Sequence, residues 1–148
     1  MEAEETLETR LRRLEDLEEI RRLHMEYGRA LDARDFEAYC GLFTEDGEFV
    51  SNGTVYRGRE AIRGMLDGLG AGPAGRNLHL FANAAIELRG DRATATLIWA
   101  FVVAGEDGRP ALRLLGRYSD LLRRDRGRWR FERRDATGAF PARPAASS

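Results

Sequence analysis

The chain has 148 residues, enough for one domain of ordinary size to bury a real core without staples. Hydrophobic residues make up 43 % and charged residues 33 %, and the net charge is −1, so no global field draws the chain to nucleic acid or an anionic membrane. Every basic residue is Arg, which excludes Schiff-base chemistry on a lysine; one cysteine, Cys40, excludes an internal disulfide, and two histidines, His24 and His79, cannot build a His-rich metal site.

Met1 to Arg13 runs acidic and then basic without the apolar stretch of a leader, and no apolar run nears the ~20 residues that span a bilayer. A cytoplasmic location is expected. Leu7, Leu11, Leu14, Leu17, Ile20, Leu23, Tyr27 and Leu31 recur at three- and four-residue steps, which predicts an amphipathic helix over Thr6 to Leu31. Its charged first turns read as an extension, residues 1–16, that frays or packs on a partner chain. Asp35 is the expected N-cap of a short second helix with Phe36, Tyr39 and Phe43 on its apolar face.

Glu45-Asp46-Gly47 reads as a turn into a strand, Glu48 to Val50, and Ser51-Asn52-Gly53 as a hairpin into Thr54 to Arg57. Arg59 to Leu69 reads as a third helix, and Gly68 to Gly75 as a loop without a phosphate-binding pattern. The second half predicts four strands, Asn77 to Leu88, Arg92 to Val103, Ala111 to Arg124 and Arg128 to Thr137, joined by short turns. The run Arg123-Arg124-Asp125-Arg126 reads as a solvated turn. Residues 138–148 read as a loose tail. Helices followed by a meander give an α+β fold, a strongly curved antiparallel sheet around helices with a pocket between the first helix and the sheet.

Several stretches resemble the SnoaL-like branch of the nuclear-transport-factor-2-like superfamily. They are Tyr27-Gly-Arg-Ala-Leu-Asp32 through Asp35-Phe-Glu-Ala-Tyr to Asp46-Gly, Tyr56-Arg-Gly-Arg-Glu-Ala-Ile, Asn77-Leu-His79-Leu-Phe-Ala-Asn83, and Gly116-Arg-Tyr118-Ser-Asp through Trp129. The resemblance spans roughly Leu17 to Asp135 and implies a cone-shaped, cystatin-like α+β barrel, a SnoaL-like domain over 17–137. The superfamily includes scytalone dehydratase, ketosteroid isomerase, polyketide cyclases and dioxygenase β subunits. In dehydratase-like members a His on the first long strand pairs with an Asp at the end of helix one, which implies His79 and Asp32 here, with Tyr27 polarising the substrate oxygen. Scytalone dehydratase carries a second His on the following strand; this chain has Trp99 and Phe101 there.

The residues themselves leave alternatives open. His79 is a general base or a satisfied, half-buried histidine. Asp32 sits where the helix dipole disfavours an acid by ~0.3–1 kcal/mol, so it is either held by a cationic or N–H partner such as His79 or is a solvated turn residue. Tyr27 is a pocket hydroxyl or a core tyrosine with a bonded hydroxyl. On an ideal helix Tyr27 and Asp32 differ by about 140° and about 7.5 Å, so they flank a ligand without touching. His24, Phe43, Trp99, Asn83, Arg117, Tyr118 and a tail residue, Phe140, are the candidate pocket residues, Asn83 to Tyr118 with strand phase unresolved.

Three functions follow. The first is a cofactor-independent, metal-free lyase or isomerase acting on a hydrophobic cyclic molecule, with His79 as base, Asp32 orienting it and Tyr27 binding the oxygen; an epoxide hydrolase with a carboxylate-activated water is a variant. The second is a binding protein that holds a metabolite. The third is an assembly partner like a dioxygenase β subunit. A homodimer is expected, because an open curved sheet leaves an apolar outer face. No nucleic acid or membrane partner is expected.

Overall fold

The computed structural model describes residues 5–69 and 77–138. The elements follow as α1 (Leu7–Asp32), α2 (Phe36–Gly41), β1 (Phe43–Ser51), β2 (Thr54–Arg57), α3 (Arg59–Asp67), β3 (Asn77–Arg89), β4 (Arg92–Ala104), β5 (Pro110–Asp125) and β6 (Arg128–Gly138). Thr6 caps α1, its hydroxyl accepting the Thr9 N–H, and Asp35 caps α2 by accepting the Ala38 N–H at 3.1 Å. Both helix starts are where the capping residues place them. The β1–β2 hairpin turns on Asn52-Gly53, both at positive φ, the pair that a two-residue turn matched to strand twist requires.

The six strands form one curved, unclosed sheet in the order β2-β1-β6-β5-β4-β3. The meander β3 to β6 is antiparallel throughout, as expected. Two details differ from the sequence reading. First, β1 starts at Phe43, so Glu45-Asp46-Gly47 lies within the strand as an irregularity in its pairing with β6, and Phe43 belongs to the sheet rather than to α2. Second, β6 inserts between β5 and β1 and pairs with β1 in parallel, so the sheet is mixed and not wholly antiparallel. That pairing joins the start and the end of the chain, and no local pattern announces it.

The helices cover the concave face. Ile20, Leu23 and Tyr27 of α1 pack with Phe36 and Tyr39 of α2, Ile62 and Leu66 of α3, and Leu97, Tyr118, Leu122, Trp129 and Phe131 of the sheet. The first half of α1 stands apart: Leu7, Leu11 and Leu14 are all exposed. It is tied down beyond them by Asp16, which accepts from Trp129 Nε1 (3.0 Å) and Arg124 Nη2 (2.6 Å), and by Glu19, which accepts the Trp129 backbone N–H (2.9 Å). Arg124 also stacks on Trp129. The run read as a solvated turn is instead the end of β5, which holds Arg123, Arg124 and Asp125, and Arg124 clamps α1 to the sheet.

Candidate active site

The end of α1 faces the start of β3. Asn77, His79 and Phe81 alternate inward along β3, so the His79 ring meets α1 rather than solvent. Its Nδ1 lies 2.6 Å from Asp32 Oδ1, and its backbone N–H donates to the same carboxylate at 3.0 Å and 3.2 Å. These N–H groups answer the dipole cost of an acid at this helix end. A carboxylate accepts, so Nδ1 donates to Asp32, and Nε2 is the ring nitrogen turned away from the pair. Nε2 has no hydrogen-bond partner among the described residues, and the pair is neither sealed nor open, at 13 % and 19 % side-chain exposure. Phe101, the cross-strand neighbour of His79, lies against the ring at 4.7 Å.

Aromatic residues continue inward from the dyad. Phe81 pairs across with Trp99, and Trp99 with Gly116. The indole lies over that glycine so closely that a Cβ there would sit 2.5 Å from it. Trp99 stacks on Tyr118 with ring centres 5.5 Å apart. Below them three hydroxyls meet: Tyr39 donates to Tyr27 at 2.7 Å, and Tyr27 and Tyr118 oxygens are 3.4 Å apart. Burial pushes the Tyr39 and Tyr118 hydroxyls well above the ordinary tyrosine range, so both are protonated and serve as donors.

One layer deeper lies a second imidazole–carboxylate pair. His24 Nε2 is 3.0 Å from Asp120 Oδ2, and Arg134 grips Asp120 with two bonds, 2.7 Å from Nε and 2.6 Å from Nη2. Burial pushes His24 below its ordinary value, with Arg134 adding to the push against the Asp120 bond, so the ring is neutral and Nε2 donates. Burial alone would raise Asp120, but the Arg134 guanidinium and the bonds from Arg134 and His24 outweigh it and hold the carboxyl below the usual range. Arg134 is 0 % exposed, and its Cζ lies 4.0 to 4.3 Å from the Tyr27, Tyr118 and Phe131 ring centres.

The sequence candidates divide accordingly. His79 and Asp32 meet; Tyr27 joins Tyr39 and Tyr118 instead of touching Asp32, as the helix geometry requires. Trp99 lines the same face, and Phe43 is wholly buried behind it among Tyr39 and Phe131. His24 lies in the deeper pair. Asn83 is exposed, at positive φ in the β3 bulge, and Arg117 is exposed on the convex side. Phe140 lies outside the described residues, as do Gly70 to Gly75 of the predicted loop. Asp120 and Arg134 were missed. Asp120 shares the inward alternation of Gly116, Tyr118 and Leu122, a signal that was available. Arg134 was hidden, because the ladder slips between Leu121 and Leu122 and turns Arg134 rather than Arg133 inward.

The SnoaL-like domain family matches residues 12–135. Among solved structures, an NTF2-like protein with a cystatin-like fold from Novosphingobium aromaticivorans is 29 % identical, with a TM-score of 0.81 over 95 % of this chain and 94 % of that one. A protein of unknown function from Mycobacterium tuberculosis is 30 % identical, with a TM-score of 0.78 over 86 % of this chain and 73 % of that one. ActVI-ORFA from Streptomyces coelicolor is 26 % identical, with a TM-score of 0.75 over 83 % and 96 %. No curated protein matches the sequence. No helix among the described residues is long and apolar enough to cross a membrane.

Proposed function

This chain belongs to the SnoaL-like domain family, and on that premise we propose that it is a lyase or isomerase that works by acid–base chemistry on a hydrophobic cyclic small molecule, without a cofactor. The observation that carries the reading is the His79 Nδ1 to Asp32 contact of 2.6 Å, with Nε2 unpartnered among the described residues. Asp32 fixes the tautomer and stabilises the imidazolium that forms. Nε2 takes a proton from a carbon next to a carbonyl, and the C–H electron pair passes to the carbonyl oxygen. The resulting enolate expels a halide, or a β-hydroxyl that leaves as water with the proton His79 has taken up, or it regains that proton from His79 at another carbon. The tyrosine hydroxyls around Tyr27 supply hydrogen bonds to the oxygen.

The test is turnover of a panel of hydroxy-ketones, steroid ketones and polyketide-like rings. His79→Ala is expected to lower the rate on any accepted compound by about 10²- to 10⁴-fold. Equal rates for wild type and variant would remove His79 as the base. A second reading, a protein that binds such rings without converting them, draws on Phe101 standing against His79 where a second catalytic histidine would be needed. Saturable binding across the panel with no product favours it.

The active unit of this proposal is a homodimer formed on the convex face. Leu78 and Leu80 of β3 and Leu112 of β5 stand exposed there, with Val102 and Ala100 of β4 between them in register. Sedimentation at micromolar concentration is expected to give twice the chain mass, and Leu80→Arg with Leu112→Arg to give the monomer. A wild-type monomer contradicts it.

A further inference from the structure

Helix α1 carries two apolar stripes. Ile20, Leu23 and Tyr27 are buried against the core, while Leu7, Leu11, Leu14 and, further along, Met25 are between 55 % and 78 % exposed. At ~100° per residue the Leu7-Leu11-Leu14 stripe stands roughly opposite the buried one. Its spacing is four, then three. That is the d, a, d of a coiled-coil seam, and the next two steps reach Glu18 and Arg21, where the apolar run stops. Leu14 also forms the apolar wall of a shallow groove that Glu15, Glu18, Glu19 and Arg22 complete. A helix anchored by one stripe has no need of a second on its far side, and three leucines in line in water mark a contact surface.

The charges beside the seam say what covers it. Between Glu5 and Glu19 the charged side chains are satisfied within the chain with two exceptions. Arg12 pairs with Glu8, Arg13 with Glu5, Glu18 with Arg22 and Asp16 with Arg124, and Glu19 accepts from Trp129. Arg10 and Glu15 have no side-chain partner among the described residues. With the leucines at d, a and d, Arg10 is a g residue and Glu15 the e residue of the next heptad. In a parallel pair of helices g faces the following e, five residues on, so Arg10 of each copy meets Glu15 of the other. An antiparallel pair sets e beside e and brings Glu8 toward Glu15 instead. Because the seam points away from the sheet, two parallel copies keep their bodies on the outer sides of the pair.

We propose that the first half of α1 is a docking surface for a second copy of this chain. The contact is a short parallel coiled coil of Leu7, Leu11 and Leu14, held in register by Arg10–Glu15 ion pairs between copies. Two heptads bury less than the ~1,200 Å² of a standard interface, so the contact is reversible, with a dissociation constant on the order of 10⁻⁴ M. It joins units that exist without it, and the convex-face leucines of β3 and β5 have no part in it.

The test is disulfide trapping in the full chain. Leu14→Cys puts a thiol at d, where two parallel helices bring the Cα atoms within the ~6 Å that a disulfide spans. Thr9→Cys puts one at f, away from the partner, and the native Cys40 is buried. With oxidised glutathione, Leu14→Cys is expected to give a band of twice the chain mass on a non-reducing gel and Thr9→Cys to give none. Added to Leu14→Cys at low salt, Arg10→Glu or Glu15→Arg alone slows trapping about tenfold, since each turns both attractions into repulsions; the two together restore it to within about twofold, and high salt flattens the series. Leu11→Glu abolishes trapping. These positions are exposed, so thermal melts stay at the wild-type value. Equal trapping by Thr9→Cys and Leu14→Cys, or none by either, overturns the seam. Trapping that the double charge exchange does not rescue overturns the parallel register. Leu80→Arg with Leu112→Arg, which breaks the convex-face pair, is expected to leave trapping in place, and its loss there overturns the seam as a separate surface. Turnover plays no part in this readout, so it fails separately from the His79 assignment.

Discussion

The molecule holds two imidazole–carboxylate pairs on the same helix and at similar distances, His79–Asp32 at 2.6 Å and His24–Asp120 at 3.0 Å. Their surroundings differ. Among the described residues His79 Nε2 has no partner and the ring no third charged neighbour, and the pair is partly exposed, whereas His24 is sealed and its carboxylate is shared with Arg134. The deeper pair is closed off from solvent, although His24 Nδ1 and Arg134 Nη1 have no partner among the described residues. In the outer pair one nitrogen is left to act on something else. Access and the third partner, not the contact distance, separate a base from a strut.

The largest effects break the comparison directly. His79→Ala should cost two to four orders of magnitude in turnover while leaving the fold intact, because its ring is held by one side-chain bond. Asp120→Ala should do the reverse in kind. It strands a fully buried guanidinium and is expected to cost about 3–5 kcal/mol in urea unfolding. Asp32→Ala, at a partly buried carboxylate, should cost about 1 kcal/mol by the same measurement. If Asp32→Ala and Asp120→Ala destabilise equally, the distinction between the two pairs collapses.

A smaller effect tests the wall between the pairs. Gly116→Ala places a methyl 2.5 Å from the Trp99 indole and forces the ring off its seat. The expected cost is about 1–3 kcal/mol, with a change in indole fluorescence reporting the displaced ring. Unchanged fluorescence and stability would mean that the indole does not depend on this seat.

The outer pair was legible in the sequence and the inner one was not, for a definable reason. Helix periodicity placed Tyr27 on α1 and a histidine in an otherwise apolar strand marked His79, while its pairing with Asp32 followed from the resemblance to the SnoaL-like branch. The overall order of elements was legible too, since capping residues and turn pairs such as Asn52-Gly53 act locally. Bulges and long-range pairing do not. One slipped residue near Leu122 decides that Arg134 is buried and Arg133 is not, and another irregularity hides the start of β1 inside Glu45-Asp46-Gly47. Asn83 was a pocket candidate on a strand of unresolved phase, and the bulge it occupies turns it out to solvent. The parallel partnership of β1 and β6 joins segments too distant in the chain for any local pattern to link them.

The smallest effect is a slope rather than a step, and it isolates the inner histidine. Burial lowers the folded-state value of His24 below its ordinary 6.5. The unfolded chain therefore takes up this proton first. The stability His24 contributes is complete above pH 6.5 and is lost as the pH falls from there through the folded value, at no more than about 1.4 kcal/mol per pH unit. Asp120, also lowered from its ordinary 3.8, keeps its contribution until the pH drops below that value, so it is silent between pH 7 and pH 5.5. Urea unfolding of wild type and His24→Gln at pH 7 and at pH 5.5 reads the His24 window alone. Wild type should lose more stability than the variant over that interval, while His79, present in both, cancels. Equal losses would mean that His24 takes up its proton alike in the folded and the unfolded chain, so that burial does not separate the inner ring from an exposed one.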